Sequence, residues 1–229
     1  MVSLTQHRYN ERLRLHERHL VFDVFALLGV IAKSVNKHVS SVVSFSKLAE
    51  GGSYRVFEAA FDDGLCIVAR LPYPCTMPRK YGIASEVATM KLVALHGIPV
   101  PHVFDWSSSS ANEVGSEYIV MSKVAGRELE HTWHSMTIKQ RMDMMEKIVD
   151  LESKLFNIEF PASGSVYLKH SVQGTPYVSH DSHFCIGPST DYLWWYSRRD
   201  ALSIDRGPCE FVVGSNVLLL TFQGFTPRK

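Results

Sequence analysis

Glu50-Gly51-Gly52-Ser53 lies between two segments rich in strand-forming residues. Residues without a Cβ let backbone N–H groups come close to an anion, so a turn of Gly51, Gly52 and Ser53 could cradle phosphate oxygens. Two glycines between strands also make an ordinary hairpin, and the dipeptide alone does not separate the two. Arg70 ends a later apolar run, and Glu86 follows it sixteen residues on. A guanidinium steadied by a carboxylate is a means of presenting a fixed cation to phosphate. The plainer account is a surface arginine and a helix-start glutamate favoured by the helix macrodipole. Residues 117–123, ending near Met121 and Lys123, could offer backbone groups to an adenine ring. Otherwise they are a buried strand and the start of a loop.

The remaining polar clusters point away from metal chemistry. His131 and His134, and His180 and His183, are paired at i, i+3, but no further ligands accompany either pair. Loop histidines are the better reading, and no metal ligand or catalytic residue is assigned. Cys66, Cys75, Cys185 and Cys209 form no C-x-x-C pair, which favours free thiols in a reducing compartment. No secretory h-region opens the sequence, so secretion is not expected. The formal charge of +1 gives no broad attraction to nucleic acid or anionic membrane. The apolar run at residues 21–32 is interrupted by Asp23 and too short to span a bilayer. Arg8, Arg12, Arg14 and Arg18 alternate with Glu11 and Glu17, which suits a solvated helix face better than an acid-poor presequence.

The elements that must position these residues follow from periodicity. Tyr9, Leu13, His16 and Leu20, then Val24, Phe25, Leu28, Ile31 and Ala32, predict two helices, the second capped by Asp23. Residues 44–49, 55–61 and 66–71 read as strands, the last two joined by the hairpin signal Asp63-Gly64. Pro72, Pro74 and Pro78 predict a stiff loop that leaves the sheet. A helix is predicted over residues 84–96, ended by Gly97 with Pro99 and Pro101 beyond. Strands follow at 103–106 and 117–121, and a long helix carries Ile138, Met142, Met145, Ile148, Val149, Glu152 and Leu155. The fold class is therefore α+β: a five-stranded antiparallel sheet with one principal helix, in the order of a protein kinase small lobe. The expected division is a helical extension at 1–42, a small lobe at 43–125, the start of a large helical lobe at 126–208, and a divergent tail at 209–229.

Several motifs resemble the fungal aminoglycoside phosphotransferase-like family of the protein kinase-like superfamily. They are Arg12-Leu13-Arg14-Leu15, Phe45-Ser46-Lys47-Leu48-Ala49-Glu50-Gly51-Gly52, Val68-Ala69-Arg70-Leu71-Pro72-Tyr73-Pro74 and Ala84-Ser85-Glu86-Val87-Ala88-Thr89-Met90. Ile98-Pro99-Val100-Pro101, Gly115-Ser116-Glu117-Tyr118-Ile119-Val120-Met121 and Gly164-Ser165-Val166-Tyr167 continue the match, which covers roughly residues 9–208. The resemblance implies ATP as ligand, Arg70 in place of the usual strand lysine, Glu86 as its helix partner, and a mitochondrial association. Ser53-Tyr54 departs from the family's larger aromatic and polar pair. Family members also continue into an H-x-D catalytic loop, an asparagine and an aspartate that holds Mg²⁺. None of these follows here, so the expectation is a C-terminally truncated, incomplete large lobe that could take ATP without transferring phosphate. The rival expectations are an interaction module that binds a partner or itself through exposed lobe surface, and a phosphotransferase completed by another chain.

Overall fold

The computed structural model describes residue 13 and residues 15–196, 199–214 and 217–220, the last stretch from 210 onward in backbone only. Its organising element is a five-stranded antiparallel sheet in the order β1-β2-β3-β5-β4. The strands are β1 (Val42–Glu50), β2 (Tyr54–Phe61), β3 (Cys66–Pro72), β4 (Val103–Ser107) and β5 (Tyr118–Ser122). The α+β class and the five strands expected from the sequence are thus both present. Pro72 closes β3 opposite Tyr54 rather than lying outside the sheet. A terminal strand position tolerates its missing N–H.

Strand alternation divides the sheet into two apolar faces. On one, Ala59, Phe61, Ile67, Ala69, Leu71 and Val120 pack against Leu27 and Ile31 of helix α1 (Val24–Ser34). Asp23 caps that helix by accepting from the Ala26 amide at 3.0 Å. On the other face, Val68, Ile119 and Met121 meet Ile83 and Val87 of helix α2 (Arg79–Leu95). Fully burying an aliphatic side chain contributes about 1.5–3 kcal/mol, so these two layers hold the sheet between the helices. Of the stripe that predicts an earlier helix, Tyr9 lies outside the described residues, while Leu13 and His16 are helical and Leu20 lies just beyond.

Helix α2 begins at Arg79, not near residue 84. Pro78 occupies its N-cap position, so the proline read as part of a loop instead starts the helix. Beyond β5 come a short helix α3 (Leu129–Trp133) and the long helix α4 (Ile138–Phe156). A capping box formed by Thr137 and Gln140 starts α4. The rest differs from a purely helical lobe. β7 (Ser165–Leu168), β8 (Val178–Ser179) and β9 (Phe184–Gly187) form a small antiparallel sheet in the order β7-β9-β8. Tyr167 of β7 is fully buried, and Tyr81 of α2 meets it edge-on at 6.0 Å.

Two further strands follow residue 208. Cys209 and Glu210 open β10 (Cys209–Gly214) by pairing with Ser163 and Ala162 of β6 (Ala162–Ser163). β10 then forms a hairpin with β11 (Val217–Leu220). The tail read from the sequence as divergent begins as a strand on β6. Unpaired edge groups seek partners, and short apolar strands supply them.

Candidate functional site

The antiparallel register sets the site. Val56 of β2 lies opposite Arg70 of β3, so Tyr54, Val56, Val68 and Arg70 share the sheet face that α2 covers. Glu86 reaches this face from about two turns inside α2. Its depth in the helix corrects the first-turn position expected from sequence and weakens the macrodipole account, because that effect fades after the first turn.

Arg70 Nη1 donates to Glu86 Oε1, and both side chains are about three-quarters buried. Tyr54 joins them. Its hydroxyl donates to Glu86 Oε2 at 2.9 Å, and its ring lies under the Arg70 guanidinium at 4.3 Å. One carboxylate thus binds a cation and a phenol, while the phenol's ring supports the same cation. Burial and the adjacent Glu86 charge both push the Tyr54 hydroxyl above its usual range, so it stays a donor. The sequence motifs brought out Arg70 and Glu86 and passed over Tyr54. The Asp63-Gly64 hairpin, extended residue by residue, sets position 56 opposite 70 and so puts position 54 diagonally from 70 on the same face, and was the available signal.

The glycine turn is attached to this cluster and braced from behind. Gly51 donates its amide to the Tyr54 carbonyl at 2.9 Å. The Ser53 carbonyl accepts from the Tyr73 amide at 3.0 Å and from Thr76 Oγ1 at 2.7 Å. Glu50, at the base, receives Lys47 and Arg55 at 2.8 Å and the Tyr73 hydroxyl at 2.9 Å. Those three donors lower its carboxyl to about 2. Among the described residues the amides of Gly52 and Ser53 donate to no protein group. They remain available to an anion.

At the far end of the same face the picture is mixed. Met121 is 4% exposed, its side chain packed with Val68 and Ile83, and its backbone lies between β3 and β4. The Lys123 ammonium is held by Glu58 at 2.8 Å, which raises its pKa. Its amide points to the Cys66 carbonyl at 3.4 Å. Neither side chain is therefore directed at a ligand, and the backbone groups without partners among the described residues begin at Val124 and run to Gly126. Gly126 adopts φ of 146°, a conformation that favours glycine and redirects the chain. From Ile67, level with Ser122, to Arg70 is about 10 Å along the strand, with Val56 and Val68 as an apolar floor between.

Glu117 adds an unanticipated feature. Burial pushes its carboxyl up to about 6, partly opposed by the Arg79 charge. It lines a cavity of about 240 Å³ with Tyr73, Arg79 and Ser116.

The histidine pairs do not assemble a site. Asp181 accepts the amides of His183 and Phe184 at 2.7 Å, which closes a loop and lowers its carboxyl pKa. His131 meets only Glu128, at 3.5 Å on the surface. Among the described residues no group of three histidine, cysteine or acidic side chains could take a metal ion. Mg²⁺ needs only one or two carboxylates beside nucleotide phosphates, but the carboxylates of Glu50 and Glu86 next to the glycine turn are both taken up by basic side chains and so do not fit that role. No helix among them is long and apolar enough to cross a membrane.

Comparison with known proteins gives these features a setting. A subtelomeric hrmA-associated cluster protein of Aspergillus fumigatus is 41% identical over 165 residues, covering 72% of this chain and 32% of the relative. The chain is similar to proteins of several fungi. Altered inheritance of mitochondria protein 9 of Yarrowia lipolytica is 30% identical over 190 residues, with 74% of this chain and 33% of the relative covered. Its Saccharomyces cerevisiae counterpart is 25% identical over 194 residues, with 73% and 31% covered. The chain thus spans about a third of the length of the curated relatives it matches. Several of them are named as mitochondrial. Among solved structures, a streptomycin–ATP–APH(2")-IIa ternary complex aligns with a TM-score of 0.45 at 12% identity, over 62% of this chain and 42% of that one. No family model matches the chain.

Proposed function

We propose that these residues form the nucleotide-binding part of a kinase-like phosphotransferase, with ATP as the ligand. Gly52 and Ser53 would receive phosphate oxygens on their amides, Arg70 would supply the cation, and Glu86 would orient it. The backbone beyond Met121 and Lys123 would hold adenine over Val56 and Val68. The observation that carries this reading is the Arg70–Glu86 pair, completed by Tyr54 on the face that also bears the glycine turn. From the mitochondrial names of its fungal relatives we also infer a mitochondrial location for this chain.

The chain's 229 residues contain no H-x-D tripeptide. A positioned general base contributes about 10²–10⁴-fold to such reactions, so we infer nucleotide binding without transfer by this chain alone. Calorimetric titration with ATP tests the binding. Arg70→Ala is expected to weaken ATP about tenfold or more, because a charge-assisted hydrogen bond is worth about 1.5–3 kcal/mol, while adenosine binding changes little. Equal ATP affinity in the two proteins would remove Arg70 from the site. Incubation with γ-labelled ATP and an acceptor panel is expected to yield no labelled product, and turnover abolished by Arg70→Ala would reverse the second inference.

A further inference from the structure

Helix α4 has no buried residue, although every third or fourth position along one side is apolar. Ile138, Met142, Met145, Val149 and Phe156 form an exposed stripe, interrupted once by Glu152. Ile138 is 77% and Phe156 83% exposed. The steps along the stripe alternate between four and three residues, the spacing that lets one helix keep a continuous seam against another. Met144, Ile148 and Leu151, half-buried, face the body of the protein instead. Beside the stripe, Trp133 of α3 and residues Ile138, Arg141 and Met142 border an open groove.

We propose that this face is an isologous interface at which a second copy of the chain docks α4 against α4 in antiparallel register. The register is fixed by the residues. If Met142 lies opposite Met145 of the second copy, two-fold symmetry sets Ile138 against Val149. Lys139 and Glu146, which flank the seam and make no ion pair within the described residues, then face one another twice across the axis. Phe156 of each copy extends past the end of the other helix toward the groove beside Trp133. Glu152, the one acidic residue in the stripe, comes opposite residues 135–137 at the start of the other α4, where the helix dipole favours negative charge.

A parallel pairing would instead require Arg141 to meet Glu146. Arg141 is already committed, donating to the Trp133 and His134 carbonyls at 3.1 and 3.2 Å, with its guanidinium over the Trp133 ring. The antiparallel arrangement leaves those bonds intact and uses the unpaired lysine.

Sedimentation equilibrium of the 229-residue chain over a concentration series tests the proposal, with circular dichroism to check that each variant is folded. A reversible dimer is expected. Lys139→Glu or Glu146→Lys alone should raise its dissociation constant about tenfold, since each places two like-charged pairs across the axis. The double variant K139E/E146K should restore the original value, because the pairs re-form with their signs exchanged. A monomer at every concentration would overturn the proposal, including the case in which another segment of the chain covers the stripe. So would a dimer indifferent to both single substitutions, which would place association elsewhere, for example on the apolar strands after Cys209. A double variant as weak as the singles would reject the register.

Discussion

Tyr54 touches both members of the pair on which the nucleotide reading rests, through its hydroxyl on Glu86 and its ring on Arg70. Tyr54→Phe separates the two contacts, keeping the ring and removing the donor. It should destabilise the fold by about 1.5–3 kcal/mol, the worth of a hydrogen bond to a charged group, and leave Glu86 to Arg70 alone. Denaturant titration measures that cost. Tyr54→Ala removes the ring as well and should weaken ATP further than Tyr54→Phe does. Glu117 gives a prediction in pH. Its folded carboxyl titrates near 6, above its ordinary value of 4.5. Below 4.5 it is protonated in both states and costs nothing. Between 4.5 and 6 the unfolded chain releases the proton first, so stability falls as pH rises and stays lower above 6. Glu117→Gln should therefore raise the melting temperature at pH 7.5 and change it little at pH 4. A melting temperature unchanged at both pH values would mean that the carboxyl is solvated. Arg70 and Glu86 were legible in the sequence because a basic residue on a strand and an acid on the next helix have few ways to meet. Tyr54 was passed over although the hairpin register carried its position, and Glu117 was not legible because its role depends on burial rather than on spacing.

At the scale of elements, the sheet was legible almost residue by residue. Asp63-Gly64 fixed the β2–β3 hairpin, and alternation of apolar residues fixed its faces. The start of α2 was not, since Pro78 breaks a strand and begins a helix with equal ease. The short strands β6 to β9 went unread for a related reason. Two to four residues are too few to show a period, and these strands are held by close backbone approach. Gly164 marks that approach, because a Cβ there would stand 2.4 Å from the Gly187 carbonyl oxygen. Gly164→Ala should cost about 2–3 kcal/mol by forcing β7 from β9, measurable as an earlier unfolding midpoint. A variant as stable as the original protein would show that the two strands separate easily.

For the whole molecule, two faces remain to be explained by what binds them. One is the sheet face carrying the glycine turn, Arg70 and the backbone after Met121. The other is the apolar stripe of α4. Both were foreshadowed in the sequence, the first by motif and the second by the long helix with an apolar face. Neither the buried state of Met121 nor the Lys123–Glu58 pair was, because exposure of a strand end depends on what packs around it. The central claim concerns the first face, and it makes a spatial demand. A nucleotide bound as described must touch the turn and the hinge at once, at opposite ends of β3. Amide chemical-shift mapping of the isotopically labelled 229-residue chain during titration with ATP addresses this directly. The account predicts concerted shifts at Gly52 and Ser53 together with residues 124–126, and loss of the turn's shifts in Arg70→Ala. Saturable ATP binding that moves neither set, or that is confined to residues away from this sheet face, would contradict it.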